Sequence, residues 1–183
     1  MIRRPLATLI VLVLVGLAGC ARRVFLPDDA GQRHMLNLLM PSRIEIVEPF
    51  TRVKSFDDDL VPDGIELLLQ AVNPLDNPGL MIVGQVRVEL YEYIPASSEP
   101  KGRRLEYWDV ELATSKNQMT HWNQLTQMYE FRLGVDPARI APADKYILAV
   151  TYTSPLGQHL VDECSIEWRT MTAPLSGLRS RRS

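Results

Sequence analysis

From residue 44 onward, the chain alternates apolar and polar residues in short segments, and clusters of Pro, Gly, Asn and Asp separate these segments. An alternation of period two places one side of a segment in a core and the other in water, which is typical of a half-buried β-strand. Seven segments follow it: 44–48, 64–73, 80–94, 105–112, 129–133, 145–153 and 159–168. Seven strands at this spacing, with little helix, predict an all-β fold, an antiparallel β-sandwich.

The clearest alternation lies in segment 80–94, where apolar residues occupy every second position from Val86 to Leu90 and Arg or Glu stands between them. We therefore expect this strand to have one buried face and one solvated face. The stretch 113–124 is polar and shows no such period. It is expected to be a loop with a helical turn around 119–123.

Two parts of the chain outside the leader also lack the alternation. Residues 20–43 are expected to form a tether with a short helix over 31–39, for which Asp28 or Asp29 supplies the N-cap. A disordered tether with an apolar patch near a lipid surface is the alternative. The final stretch, 170–183, ends in Arg-Ser-Arg-Arg-Ser and is expected to be a disordered basic tail.

The first 20 residues have the three-part layout of an export signal. Arg3 and Arg4 precede an apolar run over 6–15, which is shorter than the roughly 20 residues that a helix needs to cross a bilayer. The sequence Leu17-Ala18-Gly19-Cys20 follows this run. It resembles the lipobox of bacterial lipoproteins. An uncleaved N-terminal membrane helix is the alternative interpretation.

The lipobox resemblance implies that the signal helix is cleaved before Cys20. It also implies diacylglycerol on the Cys20 thiol and a further acyl chain, such as palmitate, on the new amino group. Several acyl chains together anchor a protein stably. Ala21, in place of an aspartate, favours the periplasmic face of the outer membrane over the inner membrane. The chain then divides into a signal peptide (1–19), a lipidated tether (20–43), a sandwich (44–169) and a tail (170–183).

Charge and cysteine content limit the partners and the means of stabilisation. The formal net charge is −2, and it becomes −4 when Arg3 and Arg4 leave with the signal, so we expect no nucleic-acid partner. Cys20 and Cys164 are the only cysteines. With Cys20 lipidated, an intramolecular disulfide is excluded. Cys164 is expected to be a small core residue in a domain that is stabilised by packing.

The stretch 142–150, Pro-Ala-Asp-Lys-Tyr-Ile-Leu-Ala-Val, resembles the start of strand F in immunoglobulin and fibronectin type III domains. In that family a tyrosine near the start of the strand hydrogen-bonds back to the corner before it, and Tyr146 is the matching position. Trp108 falls where the core tryptophan of strand C would stand. The resemblance implies an immunoglobulin- or transthyretin-like sandwich, without the inter-sheet disulfide, and it implies no particular function.

A second resemblance rests on Asn73-Pro74, Gly79 and the run Val-Arg-Val-Glu-Leu-Tyr at 86–91. This pattern is similar to that of the type VI secretion outer-membrane lipoprotein. It implies an assembly component of an envelope machine.

No catalytic constellation is recognisable in the sequence. The three histidines, His34, His121 and His159, are unaccompanied by a Gly-x-Ser-x-Gly motif or by a second ligand at zinc spacing. We therefore expect no enzyme. We expect His121 and His159 to be exposed at the surface.

One dense cluster of carboxylates stands out, formed by Asp57, Asp58, Asp59 and Asp63. Calcium takes roughly six to eight oxygen ligands, which loops at one end of a sandwich can supply. The cluster is therefore the candidate metal site. A solvated acidic loop that keeps the sheet edge soluble explains it equally well.

Tyr91, Tyr93 and Tyr107 fall on the sides of their strands opposite the presumed core. Exposed aromatic residues mark contact sites, so these three are the candidate binding residues for a protein or a glycan. Tyrosine also suits strands for reasons unrelated to binding. The expected function is that of a non-enzymatic adaptor anchored in the envelope, with a calcium-dependent carbohydrate-binding or adhesion module as a variant.

Overall fold

The computed structural model describes residues 29–168, apart from positions 58, 60, 137, 139, 141 and 142. Cys20, the signal peptide and the tail lie outside the described residues. The chain divides into two compact units, Met1–Arg33 and His34–Ser183, and the sandwich belongs to the second unit. Within the described residues, no helix has the length and apolar character needed to cross a bilayer.

The described residues form two short helices and nine strands. In chain order these are α1 (Ala30–Leu39), β1 (Arg43–Ile46), β2 (Arg52–Lys54), β3 (Gly64–Val72), β4 (Gln85–Tyr93), β5 (Lys101–Glu111), α2 (Ser115–His121), β6 (Trp122–Asn123), β7 (Met128–Gly134), β8 (Lys145–Thr153) and β9 (His159–Glu167).

The strands form two antiparallel sheets, which confirms the all-β sandwich. One sheet has the order β1-β3-β7-β6, with β2 also paired to β3, and the other has the order β5-β4-β8-β9. The prediction of seven strands is wrong, because β2 and β6 are also present. They are three and two residues long, too short to show an alternation.

A single hydrophobic core lies between the two sheets. On β3 and β4 every second side chain is buried, as the alternation predicts. The core cluster combines residues of both sheets, among them Leu67 of β3, Val88 of β4 and Phe131 of β7. Trp108 is partly buried against this cluster, and its Nε1 donates to Gly134 O at 3.1 Å.

Residues 80–84 were expected to be the first part of a strand, and this expectation is wrong. The backbone of Ile82 bonds to a side chain and not to a neighbouring strand: Ile82 N donates to the Tyr129 hydroxyl at 2.9 Å. Gly84 has a φ of 143°, and a Cβ there would collide with Thr153 O. The strand therefore begins only at Gln85.

Both helices have side-chain caps at their N-termini. Asp29 Oδ2 accepts from Gln32 N at 3.1 Å, which is the bond expected of the N-cap, and the helix runs over Ala30–Leu39, one residue longer than the expected 31–39. Thr114 caps α2 by accepting from Asn117 N. The helical turn expected around 119–123 instead begins at Ser115, because the capping threonine stands further upstream.

The edge of the five-stranded sheet is one strand broken by a turn. β1 and β2 pair with successive parts of β3; Val47 N still donates to Leu68 O at 2.9 Å, and residues 48–50 turn away from β3. Thr51, only 8% exposed, fills the gap because its Oγ1 accepts from Leu68 N at 3.2 Å. A side-chain hydroxyl thus continues the ladder where the backbone leaves it.

The register of the strands defines two ends of the sandwich. One end, which we call the proximal end, is formed by Pro41, Ser42 and segments 73–84, 112–127 and 154–158. The opposite end, which we call the distal end, is formed by the described residues of segments 55–63, 94–100 and 135–144. The chain joins the sandwich at the proximal end, where Ser42 N donates to Val72 O at 2.8 Å and Pro41 O accepts from Gln158 Nε2 at 2.9 Å.

We expect Thr51→Val to lower the free energy of unfolding by about 1–2 kcal/mol, because the nearly isosteric side chain leaves the Leu68 amide without its acceptor. Thr51→Ser keeps the hydroxyl and is the matched control. Urea denaturation of both variants measures the effect. An equal loss in the two variants would contradict the role given to the hydroxyl.

Candidate functional site

The three candidate tyrosines lie on the outer side of the four-stranded sheet. Tyr91 and Tyr93 stand on β4, and Tyr107 stands on the adjacent β5 opposite Glu89. Tyr107 is 49% exposed, whereas the other two are partly buried. We call these three residues, with the charged side chains that contact them, the tyrosine face.

Two arginines lie against the ring of Tyr107. The guanidinium carbons of Arg87 and Arg104 are 5.6 and 5.2 Å from its ring centroid, within the range of cation–π attraction. Arg87 also forms a two-pronged bond to Asp109, with Nε and Nη2 donating to its two carboxylate oxygens at 2.7 and 2.9 Å. The hydrogen bond from Arg87 holds the pKa of Asp109 below its usual value.

Lysines lie over the other two rings. Lys101 Nζ is 4.4 Å from the ring centroid of Tyr91, and Lys145 Nζ is 4.7 Å from that of Tyr93. Lys101 also pairs with Glu163 of β9 at 3.2 Å, which ties the first strand of this sheet to its last. Each tyrosine therefore has at least one cation against its ring.

Glu89 connects the two parts of the tyrosine face. Its carboxylate accepts from Arg104 Nη1 at 2.7 Å and from the Tyr91 hydroxyl at 3.0 Å. Burial alone would raise the pKa of Glu89, but these hydrogen bonds outweigh burial and the pKa is lowered. The carboxylate is thus held ionised as the acceptor that fixes Arg104 and Tyr91.

The acidic cluster bonds to its own loop. Asp57 Oδ1 accepts from Asp59 N at 3.1 Å, and Asp63 Oδ1 accepts from Phe56 N at 2.7 Å. The bond from the Asp59 backbone is the main cause that lowers the pKa of Asp57. Asp58 lies outside the described residues. Among the residues that the structure describes, no three His, Cys, Asp or Glu side chains are grouped so that they could hold a metal ion. The calcium site stays a prediction.

The three histidines stand on three different elements, α1, α2 and β9. His121 Nδ1 is 3.3 Å from Glu130 O, and His159 Nδ1 is 3.1 Å from Thr153 Oγ1. Both rings thus contact polar atoms of their own surroundings. The structure does not bring the histidines together.

A pocket at the proximal end was not foreseen from the sequence. It has a volume of about 470 Å³ and is lined by Met81, Gln118, Met119, Trp122, Gln124 and Gln127. Among these residues, Gln118 is held by two hydrogen bonds: its Nε2 donates to Ile82 O, and its Oε1 accepts from the buried Tyr129 hydroxyl at 2.7 Å. The polar composition of this segment resembled that of an ordinary loop and gave no signal for the pocket.

Comparisons of the chain with protein-family models, with curated proteins and with solved structures gave no match. The function must therefore be inferred from the chain's own residues. Those that support an inference are the lipobox motif and the tyrosine face.

Cys164 faces the core from β9 and is a free, buried thiol with 7% of its surface exposed. Burial raises its pKa from 9.0 to about 12. Burial likewise raises the pKa of the Tyr152 hydroxyl to about 12. Both groups are held protonated in the folded state, as expected for members of a packed core.

The Cys164 pKa predicts a loss of stability in alkali. The unfolded thiol releases its proton near pH 9.0 and the folded thiol only near 12, so stability present below pH 9 declines as the pH rises through this interval. We expect the urea midpoint to fall less between about pH 8 and pH 10 in Cys164→Ala than in the wild type. Identical declines would show that the thiol does not contribute.

Proposed function

We propose that this protein is a lipoprotein anchored through Cys20, and that its sandwich binds a protein partner in the cell envelope without catalysing a reaction. The observation that carries the proposal is the tyrosine face, an outward array of aromatic rings held by cations and carboxylates. The lipobox motif supplies the location, on the periplasmic face of the outer membrane.

The tyrosine face suits protein recognition because its side chains are already ordered. Tyrosine and arginine are enriched at the centres of protein interfaces. Arg87 is held by Asp109, and Arg104 by Glu89, so a partner would not have to immobilise them or to bury an unpaired charge. Such an arrangement lowers the entropic cost of association.

A protein partner is favoured over a glycan by the cations on the rings. Stacking of a sugar needs an open aromatic face, and lysine lies over the rings of Tyr91 and Tyr93. The remaining exposed ring, Tyr107, has two arginines, Arg87 and Arg104, within cation–π range. Mixed aromatic and ionic surfaces of this kind match protein partners.

The proposed fold is immunoglobulin- or transthyretin-like in its details. Tyr146 Oη accepts from Ala143 N at 3.0 Å, which is the hydrogen bond expected of a tyrosine at the corner before strand F. Trp108 departs from the expected position of a strand C tryptophan, because it is only partly buried against the core and lies on the edge strand β5, which is not adjacent to β8. Folds of this type present loops and sheet faces to partners and specify no chemistry by themselves.

Lipidation is tested first. In a bacterial host that processes lipoproteins, we expect intact-mass spectrometry of the wild type to show a mature chain beginning at Cys20 with acyl chains on it. Cys20→Ala should accumulate as an unprocessed, unacylated precursor. A wild type that retains residues 1–19 would overturn the anchor.

The tyrosine face is tested by photo-crosslinking in whole cells. A photoreactive phenylalanine analogue at Tyr107 should give a discrete protein adduct, which mass spectrometry identifies. The matched control carries the same analogue at Arg132, an exposed residue on the outer side of the opposite sheet.

Adducts of equal yield at Tyr107 and Arg132, or no adduct at Tyr107, would count against the proposal. The identity of the adduct separates a general adaptor from an assembly component of an envelope machine.

A further inference from the structure

Exposed apolar side chains are concentrated at the proximal end of the sandwich. Leu125 is 92% exposed and Met119 is 83% exposed. The full group, which we call the apolar rim, consists of Leu75, Met81, Val83, Met119, Leu125 and Leu156. Single exposed apolar residues are ordinary, but several at one end of a domain mark a contact surface.

Three leucines of the apolar rim stand at the tips of three separate loops. Leu75 and Leu125 each follow an asparagine by two residues, and the asparagine Oδ1 accepts from the leucine N at 2.9 and 2.8 Å, respectively. Leu156 follows Ser154 by two residues, and its turn is closed by a bond from Gly157 N to Ser154 O at 3.0 Å. Local hydrogen bonds thus hold each leucine outward.

Charge is distributed unequally between the two ends. At the proximal end, segments 73–84 and 154–158 contain one charged residue, Asp76, which pairs with Arg43 at 2.6 Å, and segment 112–127 contains one lysine, Lys116. The distal end carries Asp57, Asp59, Asp63, Glu99, Asp136 and Asp144. An anionic lipid surface would repel the distal end and accept the proximal one.

The chain reaches the sandwich from its N-terminal side at this same proximal end, at Pro41 and Ser42. Pro41 follows Cys20 by 21 positions. In this stretch the ten residues of α1 rise about 15 Å and the other eleven positions span at most about 40 Å, so an anchor on Cys20 alone would not press the sandwich against the membrane. Contact would require a surface on the sandwich that itself favours lipid.

We infer that the proximal end docks on the bilayer beside the lipid anchor, with the leucine tips of the apolar rim inserted among the lipid headgroups. This inference rests on the lipid anchor of the proposed function. Docking in this orientation sets the strands upright on the membrane. The tyrosine face then points sideways along the membrane, and the acidic distal end points away from it.

The test uses the full-length lipidated protein in vesicles of phosphatidylethanolamine and phosphatidylglycerol. A single cysteine for an environment-sensitive fluorophore is placed at Gln124, beside Leu125, and in a second variant at Ser98 of the distal end. Cys164 is buried and its raised pKa keeps it unreactive. The wild type is therefore the labelling control.

We expect a spin-labelled lipid to quench the probe of Gln124→Cys several-fold more than that of Ser98→Cys, with a blue-shifted emission at position 124 alone. Adding Leu75→Asp and Leu156→Asp should abolish the difference while the circular dichroism of the sandwich is unchanged. If the protein floats with the vesicles and the two probes are quenched equally, the docking inference is wrong, whereas the proposed lipid anchor is supported.

Two further outcomes would also overturn the inference. If mass spectrometry shows no acyl chain and the protein does not float, the anchor and the docking fall together. If the probe at position 124 is shielded from a water-soluble quencher in native envelope membranes but not in protein-free vesicles, the apolar rim binds a protein and not lipid.

Discussion

Burial of alternate side chains on the central strands β3 and β4 is the constraint from which the other features of the sandwich follow. Ile65, Leu67 and Leu69 on one strand, with Val86 and Val88 on the other, have essentially no exposed surface. A slip of one residue in either strand would move its whole apolar set into water, so the register is fixed strongly. The same register sends the odd-numbered residues of β4 outward, and the tyrosine face is a direct consequence of it.

The buried side chains of the described residues are almost all apolar. Polar side chains at the border of the core stabilise the fold: Thr51 completes a ladder, and the half-buried Gln118 joins α2 to Tyr129 and to the 73–84 loop. Among the described residues, no buried side-chain nitrogen or oxygen is without a hydrogen-bond partner. The two surfaces that differ from an ordinary solvated exterior are the tyrosine face and the apolar rim.

Structural features that depend on the local sequence pattern were predicted correctly. Features that depend on contacts between residues distant in the sequence were not. Alternation located the long strands and the outward tyrosines, and the Asp29 cap located α1. β2 and β6 were missed because strands of two or three residues exist only through their partners. Segment 80–84 has residues typical of a strand, but the backbone N of Ile82 donates to the Tyr129 hydroxyl and not to a neighbouring strand. The cations over the tyrosines could not be predicted either, because each contact depends on the register between strands.

The tyrosine face and the apolar rim lie on surfaces at right angles, one along the strands and one at their ends, and this relation has a physical consequence. A domain on a long tether samples many orientations, so only a fraction of encounters would present Tyr107 to a partner in the same membrane. Fixing one end on the lipid removes most of this rotational freedom before the partner arrives, and a preorganised surface then loses less entropy on binding. In the proposed arrangement the lipidated tether would confine the domain to the membrane, where effective concentration is high. Docking of the rim would add the orientation that confinement alone does not give.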